Sequence, residues 1–244
     1  MKKYIFLNWK CHPSSLQEAL RLLAPLKQRS FLKKYQAVVC APFVFLEKIK
    51  KNFKIDICAQ NCFWEMTGGP FTGEISPLML KNIGCRYILV GHSERKRIFN
   101  ESEEIVIKKL AAVLGAKLKA LLFFGEKAGD SDKEMMRQLD FVLKSIGKKD
   151  LENILFVYEP AFAVSTQGGK ILPLTRIKEK MLLIRNYLKQ KFGLEKPLIL
   201  YGGSVSDSNL GQYLKQEEID GVVIGQASIS PKKLEKIVKA CLKI

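Results

Sequence analysis

Eight short apolar runs alternate with longer amphipathic segments from one end of the chain to the other, and this rhythm constrains the fold more than any single motif. The runs cover residues 4–9, 37–41, 55–60, 87–90, 120–124, 154–158, 198–201 and 221–224. Between them lie stretches with helical periodicity, among them residues 14–28, 102–114, 133–146, 173–192 and 231–242, several opening on Ser or Pro. Eight strands with eight helical connections make a (β/α)8 barrel. No composition break or low-complexity linker interrupts the pattern, so an α/β fold with one barrel domain over residues 1–244 is expected. With 47% hydrophobic and 27% charged residues the chain can bury a core of that size without disulfide or metal staples.

The same composition removes other classes. Apolar runs such as residues 120–124 fall far short of the roughly 20 residues a membrane helix needs. Lys2 and Lys3 precede an apolar stretch too short for a signal-peptide core, so a cytoplasmic protein without a membrane partner is expected. The formal charge of +17 invites a nucleic-acid reading. However, the lysines are scattered over helical stretches such as 27–34, 178–191 and 232–243, with no dense arm and no interleaved aromatics to stack on bases. A solvated basic surface that attracts anionic substrates, with no nucleic-acid partner, is the expectation. The six cysteines, several within apolar runs, read as reduced thiols. With no CxxC pair and only His12 and His92, far apart, a zinc site is not expected.

Two segments break the rhythm. Residues 62–75, CFWEMTGGPFTGEI, carry Gly-Gly-Pro and no helical period, which reads as a projecting loop. Its apolar Phe63, Trp64, Met66 and Phe71 favour docking on a second copy of the chain. Residues 161–170, AFAVSTQGGK, are small and glycine-bearing and follow a strand ending in a carboxylate, as a lid would.

Barrel enzymes build their sites at the C-terminal ends of the strands, where this sequence places Asn8, Lys10, His92, Glu159, Gly202, Gly203, Ser204 and Gly225. Any one of these could be a satisfied strand-end polar group; together they look like a site. Glu159 emerges from the apolar run ILFVY, and partial desolvation makes a carboxylate a better base. His92 immediately precedes a candidate helix start at Ser93, a position that disfavours imidazolium and suits hydrogen-bond donation to an oxyanion. Lys10 offers a fixed cation. Gly202, Gly203 and Ser204 let backbone N–H groups approach an anion, in the region after strands seven and eight where barrels often hold phosphate. A base, a neutral donor, a cation and a phosphate nest, without a metal triad or a dinucleotide fingerprint, point to proton abstraction beside the carbonyl of a small phosphorylated molecule. Another phosphosugar barrel, an aldolase or a phosphoribosyl isomerase, shares much of this pattern. A Schiff-base aldolase needs an interior strand lysine, and the strand runs offer none beyond Lys10.

The segments FLNWK (6–10), AQNC (59–62), FTGEIS (71–76), GHSERK (91–96), VYEPAFA (157–163), YGGSV (201–205) and DGVVIG (220–225) strongly resemble the triosephosphate isomerase family along the whole chain. The resemblance implies interconversion of dihydroxyacetone phosphate and D-glyceraldehyde 3-phosphate through an enediolate, in glycolysis and gluconeogenesis, without a cofactor or metal. The glutamate base and neutral histidine of this family are a familiar pair. The resemblance implies Glu159 as base, His92 as electrophile, Lys10 as the positive charge, Asn8 as an orienting group and Glu94 as support for Lys10. It also implies that amides of Ser165, Ser204, Gly225 and Gln226 hold the phosphate, and that Thr72 reaches the partner's site in a homodimer. The sequence departs from the family pattern at Phe162, where Trp is usual, over VSTQGGK (164–170), at Gln226 in place of a glycine, and at Phe123, where repacking under the base is expected.

Overall fold

A computed structural model describes residues 2–163, 169 and 171–244. Eight parallel strands close in chain order into a barrel: β1 (Tyr4–Asn8), β2 (Gln36–Ala41), β3 (Asp56–Ala59), β4 (Tyr87–Val90), β5 (Lys119–Phe124), β6 (Ile154–Tyr158), β7 (Leu198–Tyr201) and β8 (Gly221–Ile224). The seam is shut by β1 pairing with β8, Leu7 opposite Ile224.

Among the described residues the connections carry α1 (Leu16–Leu23), α2 (Arg29–Lys34), α3 (Phe43–Asn52), α4 (Pro77–Asn82), α5 (Ser93–Ile98), α6 (Glu103–Gly115), α7 (Asp132–Leu143), α8 (Lys148–Leu151), α9 (Leu174–Phe192), α10 (Leu210–Leu214) and α11 (Pro231–Lys243). One helix per connection was too simple an expectation. The stretch 14–28 divides because Pro25 has no N–H to extend α1, so the chain tightens into a 3-10 turn at Ala24–Lys27 before α2 begins. Serine hydroxyls at Ser15, Ser76, Ser102, Ser131 and Ser230 cap α1, α4, α6, α7 and α11, each accepting the N–H three residues on. Gly193 ends α9 in the left-handed conformation, φ 69°.

Strand alternation sorts the apolar side chains into two cores. Phe6, Val38, Cys40, Cys58, Tyr87, Leu89, Leu121, Phe123, Leu155, Val157, Leu200 and Val223 fill the barrel. Their neighbours, such as Leu7, Val39, Leu122, Phe156 and Ile224, face the helices. All six cysteines are free thiols, and only Cys11 is exposed. No helix among the described residues is long and apolar enough to cross a membrane.

Candidate active site

Alternation continued one step past the inward residues sets the mouth of the barrel. Phe6 leads to Asn8 and Val157 to Glu159, while Phe123, Leu200 and Val223 lead to Gly125, Gly202 and Gly225. Polar side chains enter on two strands, and glycines leave space on three. His92 would face outward by the same count, since Tyr87 and Leu89 face inward. Gly91, at φ 76°, breaks the alternation and turns the imidazole into the mouth. A cavity of about 20 Å³ results, lined by Asn8, Lys10, His92, Glu159, Gly202, Gly203, Val223 and Gly225.

Within it the contacts are specific. His92 caps α5 and its Nδ1 accepts the Glu94 N–H at 3.2 Å, so that nitrogen carries no proton and Nε2 is the N–H of the ring. Nε2 lies 3.3 Å from Glu159 Oε1, and Asn8 Nδ2 is 3.4 Å from the same nitrogen. Glu159 Oε2 accepts the Ser93 N–H at 3.1 Å, which docks the carboxylate on the start of α5. Both Glu159 and His92 are buried, 5% and 6% exposed, so charge placed between them is poorly screened. Lys10 holds the left-handed conformation (φ 53°), its N–H donating to Asn8 Oδ1 at 3.1 Å and its Nζ to Glu94 Oε1 at 2.5 Å. These two bonds hold a strained, non-glycine backbone in place.

After Gly202 and Ser204 a turn precedes the next helix, whose N-cap position is Asn209. Asn209 Oδ1 accepts the Ser206 N–H at 2.8 Å and its Nδ2 donates to the Ser204 carbonyl at 3.0 Å, fixing that turn before the helix. Ser204 Oγ donates to the Ala163 carbonyl at 2.8 Å and so ties this loop to the end of the β6 connection. Gln226, exposed and without a positive φ, opens a 3-10 turn (Gln226–Ser228) capped by Gly225. First-turn amides of such a turn have no partner within it, so glutamine is compatible with a backbone donor here. Ser165 lies outside the described residues, as does the expected lid apart from Ala161–Ala163 and Gly169. Thr72 is exposed in the projecting loop and does not line the cavity of its own chain. Phe123, in the barrel interior, has its ring 4.8 Å from that of His92.

One cluster was not singled out from the sequence. Glu126, buried at the end of β5, meets Arg176 at 3.0 Å and Lys180 at 2.8 Å, both on α9, and accepts the Tyr158 hydroxyl at 3.3 Å. Burial pushes the Tyr158 phenol up, and the adjacent Glu126 charge adds to it. Burial alone would lower the Lys180 ammonium, but its bonds to Asp132 and Glu126 hold it above the ordinary value. Because the Ala161 N–H donates to the Glu126 carbonyl at 3.0 Å, this cluster fastens the residue after Pro160 to α9 and β5. An acid directly after the strand end in FFGE was the only signal for it.

The family model for triosephosphate isomerase matches residues 3–241, nearly the whole barrel. The chain belongs to the triosephosphate isomerase family. Curated triosephosphate isomerases are similar end to end. That of Buchnera aphidicola is 37% identical, covering 98% of this chain and 97% of its own length. That of Dictyoglomus thermophilum is 33% identical over 98% and 99%, and that of Thermodesulfovibrio yellowstonii 35% over 98% and 99%. The triosephosphate isomerase resemblance read from seven short motifs therefore extends over the full architecture, including the segments between them.

Proposed function

We propose that Glu159, His92 and Lys10 carry out the reaction of this isomerase family, the interconversion of dihydroxyacetone phosphate and D-glyceraldehyde 3-phosphate. The observation that carries this reading is the 3.3 Å approach of a buried carboxylate to an imidazole Nε2 at a barrel mouth shared with a lysine ammonium. Glu159 takes a proton from the carbon beside the substrate carbonyl and returns it to the neighbouring carbon. The Nε2–H of His92 donates to the oxygen on which negative charge develops, and the Lys10 ammonium, steadied by Glu94, offsets that charge. Asn8 holds the Lys10 backbone through its Oδ1. Amides at Ser165, Ser204, Gly225 and Gln226 receive the phosphate. A proton moves between adjacent carbons and the net oxidation state is unchanged, so no external electron acceptor enters the balance.

Before substrate arrives the carboxylate is engaged by the Ser93 N–H and His92, and it must exchange these contacts for the substrate carbon. We place the reaction in the cytoplasm and assign the active form as a homodimer in which the loop bearing Thr72 packs beside Asn8 and Lys10 of the other copy. Phe71 and Met66, each 38% exposed on that loop, favour such a contact. Coupled assays in both directions with the purified protein test the activity. Turnover with both triose phosphates is expected, and its absence from a folded preparation overturns the assignment.

A further inference from the structure

On the N-terminal face of the barrel, the end opposite the Glu159 cavity, Lys2, Lys27, Arg29, Lys33 and Lys54 surround a depression of about 500 Å³. Its floor is apolar and recessed: Leu23, Leu26 and Ile55 are at most 6% exposed. Phe53, half-buried, lines one side, with Lys27 Nζ 5.3 Å from its ring centroid. No Asp or Glu lines the depression. Elsewhere on the surface Lys51, Lys189 and Lys239 have carboxylates at 2.5–2.7 Å, whereas none of these five cations is in an ion pair among the described residues. Like charges gathered over a low-dielectric concavity repel one another and focus a positive potential into it. All five side chains are exposed and Lys2 Nζ also donates to the Leu32 carbonyl at 3.0 Å, so water screens their repulsion while the shared potential favours an anion in the concavity.

We infer that this depression binds a nucleoside polyphosphate, phosphates against the cationic rim and base on the apolar floor beside Phe53. The volume lies within the range of small-molecule sites, and an apolar lining with a few charged groups is their usual chemistry. A single carboxylate would neutralise only one of five cations. A membrane surface calls for protruding apolar side chains, whereas these are recessed. A nucleic-acid strand calls for a track of exposed aromatics, and Phe53 is the one aromatic in the lining.

Isothermal titration at physiological salt with ATP, AMP and inorganic tripolyphosphate tests the inference. ATP is expected to bind once per chain. AMP is expected to bind roughly tenfold more weakly for want of charged phosphate contacts, and tripolyphosphate roughly tenfold more weakly for want of a stacked base. Saturating glycerol 3-phosphate, which competes for the triose phosphate cavity, should leave ATP binding unchanged. The double substitution Lys27→Glu with Lys33→Glu should abolish ATP binding while kcat for triose phosphates is retained. Phe53→Leu, which keeps the floor packed, should weaken ATP but leave tripolyphosphate unaffected. The inference is overturned by failure of ATP to bind at millimolar concentration, by equal affinity for tripolyphosphate, by displacement with glycerol 3-phosphate, or by unchanged binding in the folded, active double variant.

Discussion

At the scale of single residues, the site depends on two groups whose contacts differ in kind. The Glu159 carboxylate rests with one oxygen on the Ser93 N–H and the other beside His92, and its backbone N–H donates to the Phe124 carbonyl at 2.8 Å. Glu159→Gln fills the same volume but cannot take up the substrate proton. Its kcat should fall on the order of a hundredfold or more, with phosphate-ligand affinity largely kept; near-normal turnover would remove Glu159 from the role of base. His92→Asn keeps a donor that is shorter and misplaced, so a smaller but clear loss of kcat is expected in the same assay. Equal rates for His92→Asn and the parent would take the imidazole out of the mechanism. Lys10 illustrates a residue the sequence located but could not orient. Its left-handed backbone is held by the Asn8 side chain, a contact that spacing alone does not reveal.

Secondary-structure elements impose a second set of demands, which glycines meet at the strand ends. A Cβ on Gly125 would lie 2.2 Å from the Glu159 carbonyl oxygen and 2.6 Å from its carbon, so any larger residue must push the ends of β5 and β6 apart. Gly125→Ala should therefore cost roughly 1–3 kcal/mol of stability by overpacking. By shifting Glu159 it should also lower kcat by as much as about a hundredfold. Thermal melting and steady-state kinetics on one preparation measure both effects, and a variant that melts lower yet turns over normally would separate the strand ends from the positioning of the base. Most of the element pattern was legible in the sequence, since the apolar runs at 87–90, 154–158, 198–201 and 221–224 coincide with β4, β6, β7 and β8. The division of residues 14–28 was not, because it depends on one missing N–H at Pro25.

For the whole molecule, burial couples stability to pH, and in the homodimer proposed above the projecting loop would couple assembly to activity. Burial raises the thiols of Cys62, Cys85 and Cys241 from 9.0 to about 12, and the Tyr35 phenol from 10.0 to about 12. The unfolded chain releases these protons at lower pH than the folded one. Their contribution to stability is thus complete below about pH 9 and is lost as pH rises towards 12. Urea midpoints should accordingly be level on the acid side of pH 9 with respect to these groups and fall steeply above it; a midpoint that rises between pH 9 and 11 would contradict their burial. Excising the exposed part of the loop, residues 65–74, should yield a monomer by sedimentation with impaired turnover. A loop-deleted monomer with full activity would show that the second copy does not support the site.

The order of strands, the closed (β/α)8 class, the serine-capped helix starts and the identities of Asn8, Lys10, His92 and Glu159 could be read from the sequence, because strand periodicity, capping and strand-end position are local properties of a chain. Tertiary structure alone decided the rest. The turn at Gly91 brings His92 from an outward count to within 3.3 Å of Glu159, a residue 67 positions away in the chain. The clamp of Glu126 by Arg176 and Lys180 joins β5 to α9 across 50 residues or more. The five cations at the opposite face come from separate stretches that the sequence presents as scattered charge. Closing the barrel sets distances between residues remote in sequence, and those distances fix which charges meet a partner and which do not.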